Sequence, residues 1–159
     1  MLVAMASARH EQPTRLIPAV EADLGAVQRL VAAAALPLDG LARDFPAGFV
    51  VALAVTGEVV GCAGVECHAG DGLLRSLAVT ADARGSGLGR RLVDDRCAWG
   101  RARGLSALYL LTTDAAAFFA RLGFERWPRA AVAPAIQASD EFSRICPASA
   151  TCIVRRLSA

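Results

Sequence analysis

Apolar positions along the chain change period several times, and each change marks an element. "TRLIPAV" reads as a first strand. Glu21 and Asp23 then fall in the first turn of an apolar-rich helix, where carboxylates favour the positive end of the dipole, and the helical pattern continues to about Ala35. Pro37 stops it, and "LDGLARDF" predicts a second short helix before Pro46 and Gly48. "FVVALAV", the turn "TGE" and "VVGCAGVEC" predict a β-hairpin; "AGDG" then turns the chain into the apolar strand "LLRSLAV".

Beyond a glycine-rich loop, Leu88, Leu92, Trp99 and Ala102 recur at helical spacing up to Gly104. "ALYLL" is a short buried strand, and Asp114 can cap a helix that runs through Leu122 and closes at Gly123. The pattern weakens after Phe124, where a short helix near Ile136 to Ile145 precedes a last strand, "TCIVRRL". Strands interleaved with helices, without repeats or a low-complexity linker, predict one α/β domain with a mixed sheet over residues 14–159. Residues 1–13 read as a disordered tail, with Met5 an alternative start.

Composition narrows the function classes. The 159 residues are 55% hydrophobic, yet no apolar run reaches the roughly 20 residues that span a bilayer, so a soluble protein without a membrane partner is expected. A net charge of +2 with scattered arginines does not make a nucleic-acid surface. The five cysteines, Cys62, Cys67, Cys97, Cys146 and Cys152, form no CxxC pair and lie mostly in apolar segments, which predicts buried thiols in a cytoplasmic protein and no metal site.

The loop "RGSGLGRR", Arg84 to Arg91, carries the first chemistry. A strand that enters a glycine turn and then a helix aims several free N–H groups at one spot, at the positive end of the helix dipole. Gly85, Gly87 and Gly89 allow close approach, and Arg84 and Arg90 add charge. Neither the Walker A pattern nor the dinucleotide pattern GxGxxG fits this stretch. On glycine content alone, a flexible helix-entry turn accounts for it as well.

Together with "LAV" before it and "FFARLGF", Phe118 to Phe124, after it, the loop resembles the Arg/Gln-x-x-Gly-x-Gly/Ala motif of the GNAT acetyltransferases. The resemblance implies a single mixed, mostly antiparallel sheet with a V-shaped strand splay, flanked by about four helices. It implies acetyl-CoA as co-substrate: main chain at Leu77, Ala78 and Val79 would pair with pantetheine, and the loop from Arg84 through Gly85, Ser86, Gly87, Leu88 and Gly89 to Arg90 would hold the pyrophosphate, with Phe119 beside the cofactor. Direct transfer to a small amine is the implied reaction, and family members often dimerise through C-terminal strands. Where many members place a general-acid tyrosine, this chain has Phe119; Tyr109 reads as a packed strand residue, which leaves water, Thr112, Thr113 or Ser143 to assist the departing thiolate.

On the acceptor side, Glu66 is a candidate base or an exposed carboxylate at a hairpin margin, and His68 is its alternative or a turn residue. Arg75 interrupts a strand expected to be buried on both faces, so it needs either Glu66 or an anionic ligand as partner. Ser76 and Thr112 join it as acceptor-side candidates. "GVECHAGDGLLRSLAV", "LYLLTTDAAAFFARLGF" and "EFSRICPASATCIVRRL" together resemble GNAT proteins associated with bacterial arsenic resistance. That resemblance implies N-acetylation of an amino-acid-like arsenical such as arsinothricin. Other amine acceptors stay open, as does a non-catalytic module binding trivalent arsenic through Cys146 and Cys152.

Overall fold

The computed structural model describes residues 13–157. The expectations for a disordered tail and an alternative start at Met5 lie outside the described residues. Seven strands form one sheet: β1 (Arg15–Pro18), β2 (Phe49–Leu53), β3 (Val59–His68), β4 (Asp71–Val79), β5 (Ala107–Thr112), β6 (Glu125–Arg126) and β7 (Thr151–Arg156). They lie in the order β1-β2-β3-β4-β5-β7-β6. All neighbours are antiparallel except β4 and β5, which run parallel and pair only at Gly72↔Leu108 and Leu73↔Tyr109. Past Leu73 the two strands diverge, which is the expected splay.

Helices cover both faces. On one, α3 (Leu88–Ala102) and α4 (Ala116–Ala120) pack Leu88, Leu92, Val93, Cys97 and Phe119 onto Val65, Leu74, Leu108 and Leu110. On the other, α1 (Leu24–Ala33) and α2 (Leu41–Asp44) bury Val27, Val31 and Leu41 against Val51, Cys62 and Ala78. The same face continues under α5 (Pro134–Gln137), where Ile136 and Phe142 cover Leu73 and Cys152.

Local chemistry explains where the elements depart from the sequence pattern. The first helix begins as a tight turn at Glu21–Asp23 and ends at Ala33, because Ala35 turns left-handed at φ +56°. In α3 the buried stripe runs through Leu92, Val93, Arg96, Cys97 and Gly100, while Ala102 faces water. Asp114 caps nothing: the Thr112 hydroxyl accepts from the Ala115 and Asp114 N–H groups, at 2.9 and 3.4 Å, and so starts α4 from the end of β5. The single helix expected near Ile136 to Ile145 is two pieces, α5 and a π-helical turn at Glu141–Ile145. The two-residue strand β6 had no sequence signal. Of the thiols, Cys62, Cys97 and Cys152 are buried, whereas Cys67 is exposed, Cys146 is half-buried, and all five are free.

Candidate active site

The site begins with a defect in β4. Gly64 pairs with Arg75 and Cys62 with Ala78, so Ser76 and Leu77 together face Ala63. Such a bulge leaves main-chain groups out of the ladder and bends the strand. It also inverts the faces: Leu74 packs in the α3 core before it, and Leu77 and Val79 pack there after it. Ser76 adopts φ +55°, a left-handed conformation that a residue with a Cβ adopts at a cost.

The diverging strands open a cavity of about 670 Å³. One wall is β4 from Leu74 to Val79, and the other is Leu110, Leu111 and Thr112 of β5 with Phe118 and Phe119 of α4. The mouth is the glycine loop, with Arg84, Gly85, Gly87, Leu88, Gly89 and Arg90 on its rim. Gly85 and Gly87 stand at φ +78° and +84° with open space where a Cβ would be, so conformation and not crowding selects glycine there. The first intrahelical bond runs from the Arg91 N–H to the Gly87 carbonyl, so the N–H groups of Gly85, Gly87, Gly89 and Arg90 find no acceptor among the described residues. These free donors and an unpaired strand edge leading away from them fit a ligand with a diphosphate and an amide-bearing arm.

Of the cofactor-side residues named from sequence, Leu77, Ala78, Val79, Arg84, Gly85, Gly87, Leu88, Gly89, Arg90 and Phe119 therefore lie on the two walls or the rim of one cavity. Ser86 turns inward, its hydroxyl donating to the Ala83 carbonyl and meeting the Leu88 N–H at 3.4 Å, so it shapes the loop. Phe119 is buried edge-to-face against Phe118 and Phe124, with ring centroids 5.0 and 5.3 Å away. Tyr109 packs on the opposite face, beside Leu73 and Trp127, away from the cavity. Thr113 and Ser143 are exposed and outside the cavity wall.

Arg75, Ser76 and Thr112 also line this cavity. The Arg75 side chain is only 3% exposed, and four protein groups surround its guanidinium. Nη1 donates to Glu66 Oε1 at 2.6 Å, Nη2 to the Asp39 carbonyl at 2.8 Å, and Nε lies 3.2 Å from Ser76 Oγ and 3.3 Å from Glu141 Oε1. The internal partner weighed from sequence, Glu66, is thus present, and a second carboxylate accompanies it. Glu66 itself stands on a second, smaller cavity of about 470 Å³ with Cys67 and His68, and its Oε2 is 3.2 Å from His68 Nε2.

Glu141 was missed in the sequence. It sits in "SDEFSR", a polar stretch that reads as a solvated turn, but the π-helical turn folds it inward until the residue is 7% exposed. Burial pushes its carboxyl up to about 7, opposed by the Arg75 guanidinium and reinforced by the Glu66 carboxylate. Arg43 Nη1, 3.4 Å from Asp140 Oδ2, links α2 to this turn from outside. Cys152 lies buried in β7, where burial raises its thiol to about 11; that of the half-buried Cys146 is raised too, by burial and the neighbouring Glu141. Among the described residues, no three His, Cys, Asp or Glu gather as a metal site requires, and no helix is long and apolar enough to cross a membrane.

Known proteins share this fold. Residues 46–126 match the model of the acetyltransferase (GNAT) domain. The mycothiol acetyltransferase of Arthrobacter sp. (strain FB24) is 34% identical over 99 residues, which cover 55% of this chain and 31% of that protein. This chain therefore spans about a third of that relative. Among solved structures, N-acetylglutamate synthase from Neisseria gonorrhoeae, complexed with coenzyme A and N-acetylglutamate, superposes with a TM-score of 0.80 at 21% identity, over 94% of this chain and 36% of that one. Rv2747 from Mycobacterium tuberculosis, also a coenzyme A complex, gives 0.78 at 25% identity over 91% and 99%. The first likeness shows the fold, and the second, to a coenzyme A complex, agrees with the acetyl-CoA expectation. With its splayed sheet, bulged β4 and glycine loop inside the matched span, the chain belongs to the GNAT family of acetyltransferases.

Proposed function

We propose that the protein is an acetyl-CoA-dependent N-acetyltransferase that passes the acetyl group directly to the primary amine of a small molecule, with an amino-acid arsenical such as arsinothricin as its acceptor in arsenic resistance. The observation that carries the transferase reading is the cavity between β4 and β5, walled by the bulge from Ser76 to Ala78 and rimmed by the free N–H groups of the glycine loop. The loop accounts for pyrophosphate binding, and the unpaired edge of β4 for the pantetheine arm. A main-chain N–H at Leu77 or Ala78 would polarise the thioester carbonyl.

The acceptor enters from the other end, where Arg75, Ser76 and Thr112 meet the cavity. The small-molecule class is supported by the likeness to a mycothiol acetyltransferase, and the arsenical by the sequence likeness to arsenic-resistance acetyltransferases. Phe119 cannot donate a proton, so the thiolate takes one from solvent or from the Thr112 hydroxyl.

Incubation with acetyl-CoA and a panel of amines, including arsinothricin, amino acids and polyamines, tests this. Free coenzyme A and an acetylated arsenical identified by mass spectrometry are the expected result. Transfer confined to other amines would remove the arsenical and keep the enzyme, while tight arsenite binding without any transfer would favour the binding module.

A further inference from the structure

The bulge in β4 carries a serine where a glycine would fit without strain. Ser76 holds φ +55°, a left-handed conformation that glycine adopts freely and a residue with a Cβ adopts at a cost. Its side chain is present all the same, on the wall of the larger cavity, in a residue only 8% exposed. Strain of this kind gathers at active sites.

The Ser76 hydroxyl is engaged from one side. Arg75 Nε donates to Ser76 Oγ at 3.2 Å, while Glu66 and the Asp39 carbonyl hold the other arms of the guanidinium at 2.6 and 2.8 Å. The oxygen is therefore fixed as an acceptor toward Arg75, and among the described residues its own proton meets no acceptor. A cationic donor on that oxygen draws density from the O–H bond and strengthens the proton as a donor.

The direction of the main chain puts a second donor beside it. Past the bulge, the Thr80 N–H donates to the Val60 carbonyl of β3 at 2.9 Å. Main-chain groups alternate sides along a strand, so Ala78 also faces β3, while Leu77 and Val79 turn their N–H groups to the side from which β5 has diverged. Leu77 directly follows Ser76. The Oγ of a serine and the N–H after it are joined only through Cβ, Cα and the carbonyl carbon, so both protons can converge on one oxygen atom.

We propose that the Ser76 hydroxyl and the Leu77 N–H together hold the thioester carbonyl oxygen of acetyl-CoA, which makes Ser76 a catalytic residue. This rests on the acetyltransferase reading above. The neutral amine's lone pair forms the bond to the carbonyl carbon, and the π pair of the C=O bond moves onto oxygen, where the two donors meet the growing negative charge. As the C=O bond re-forms, the carbon–sulfur bond breaks and sulfur leaves with its electron pair. The nitrogen gives up one proton and the thiolate gains one, both through solvent. No other reactant is required.

The test uses acetyl-CoA labelled with carbon-13 at the acetyl carbonyl, with its C=O stretch read by infrared difference spectroscopy on wild type, Ser76→Ala and Ser76→Gly. Ser76→Ala removes the hydroxyl and keeps the backbone strain; Ser76→Gly removes both, and serves if Ser76→Ala does not fold. A hydrogen bond lowers the stretching frequency, so wild type should give the lowest band and both variants should move toward free acetyl-CoA. With an amine that wild type acetylates, kcat should fall about 100-fold in each variant. The calorimetric Kd for acetyl-CoA and the KM for the amine should stay within about twofold, because the donor acts on charge that develops only in the transition state. A carbonyl band unmoved in both variants, or a kcat loss under about threefold, would overturn the assignment of Ser76. A wild type that binds acetyl-CoA and acetylates no amine would overturn the transferase reading and with it the catalytic role, whatever the band shows.

Discussion

A Cβ placed on Gly64 would stand 2.5 Å from Cζ of Phe49, its cross-strand partner. The ring is 3% exposed, lies 5.2 Å from the Phe45 ring, and so has nowhere to move. Gly64 is also the rung opposite Arg75, one step before the bulge. Gly64→Ala should therefore lose about 1–3 kcal/mol through overpacking. A lower urea midpoint with an unchanged slope would show it, and because the pushed strand carries Arg75's rung, acetyl transfer should weaken more than cofactor binding.

The glycine loop separates charge from conformation. At Gly87, φ +84° strains any side chain, by roughly 1–2 kcal/mol for most residues and less for Asn. Gly87→Asp adds a negative charge among N–H groups without an acceptor, so acetyl-CoA affinity measured by calorimetry should fall at least about tenfold. Gly87→Asn, neutral and tolerant of left-handed backbone, should lose less. Equal losses would mean that shape alone matters at the rim.

Stability should report on the burial of Glu141. Its carboxyl is raised in the folded state, from an ordinary 4.5 to about 7, so its favourable contribution is complete below about 4.5 and disappears as pH climbs through about 7. Glu141→Gln has no such loss. The Tm of the variant relative to wild type should therefore be higher at pH 8 than at pH 5, a difference that thermal melts at the two pH values measure directly.

Thiol reactivity should sort by place in the fold. Cys62 is buried with its Sγ 3.3 Å from the Ser76 carbonyl, and burial pushes its thiol up to about 12. Cys67, one residue past Glu66 on the same strand, is exposed. A thiol reagent at neutral pH should label Cys67 within the mixing time scale of the assay and spare Cys62, Cys97 and Cys152 until the protein unfolds, as peptide mapping by mass spectrometry would show.

The run from β3 to α4 was legible because its elements are long, periodic and punctuated by glycine. Gly85, Gly87 and Gly123 stand at positive φ, where the sequence pattern puts a turn. Thr112 displaced Asp114 as the helix cap because a strand-end hydroxyl reaches two N–H groups, a geometry that residue type alone does not reveal. Between Trp127 and Ile145 the structure is made of short turns joined by side-chain bonds to main chain, such as Arg129 to the carbonyls of Phe142, Pro147 and Ala150. Those bonds have no period to read. Glu141 was hidden for the same reason: its meaning comes from a guanidinium on a distant strand. Ser76 was named for its neighbourhood, while the bulge that gives it its conformation follows from register, which composition does not encode.

Among the described residues, two strand rungs, Gly72↔Leu108 and Leu73↔Tyr109, and the bond from the Ser106 N–H to the Gly70 carbonyl at 2.9 Å stitch the main chain of the four-stranded half of the sheet to the three-stranded half. A Cβ on Gly72 would sit 2.5 Å from Cδ2 of Leu108, so even this short seam holds only because one residue has no side chain. A molecule lying along the open edge of β4 would act as the mortar between the halves, and its departure would return the wedge to water. The protein should therefore be a more rigid body with its cofactor bound than alone.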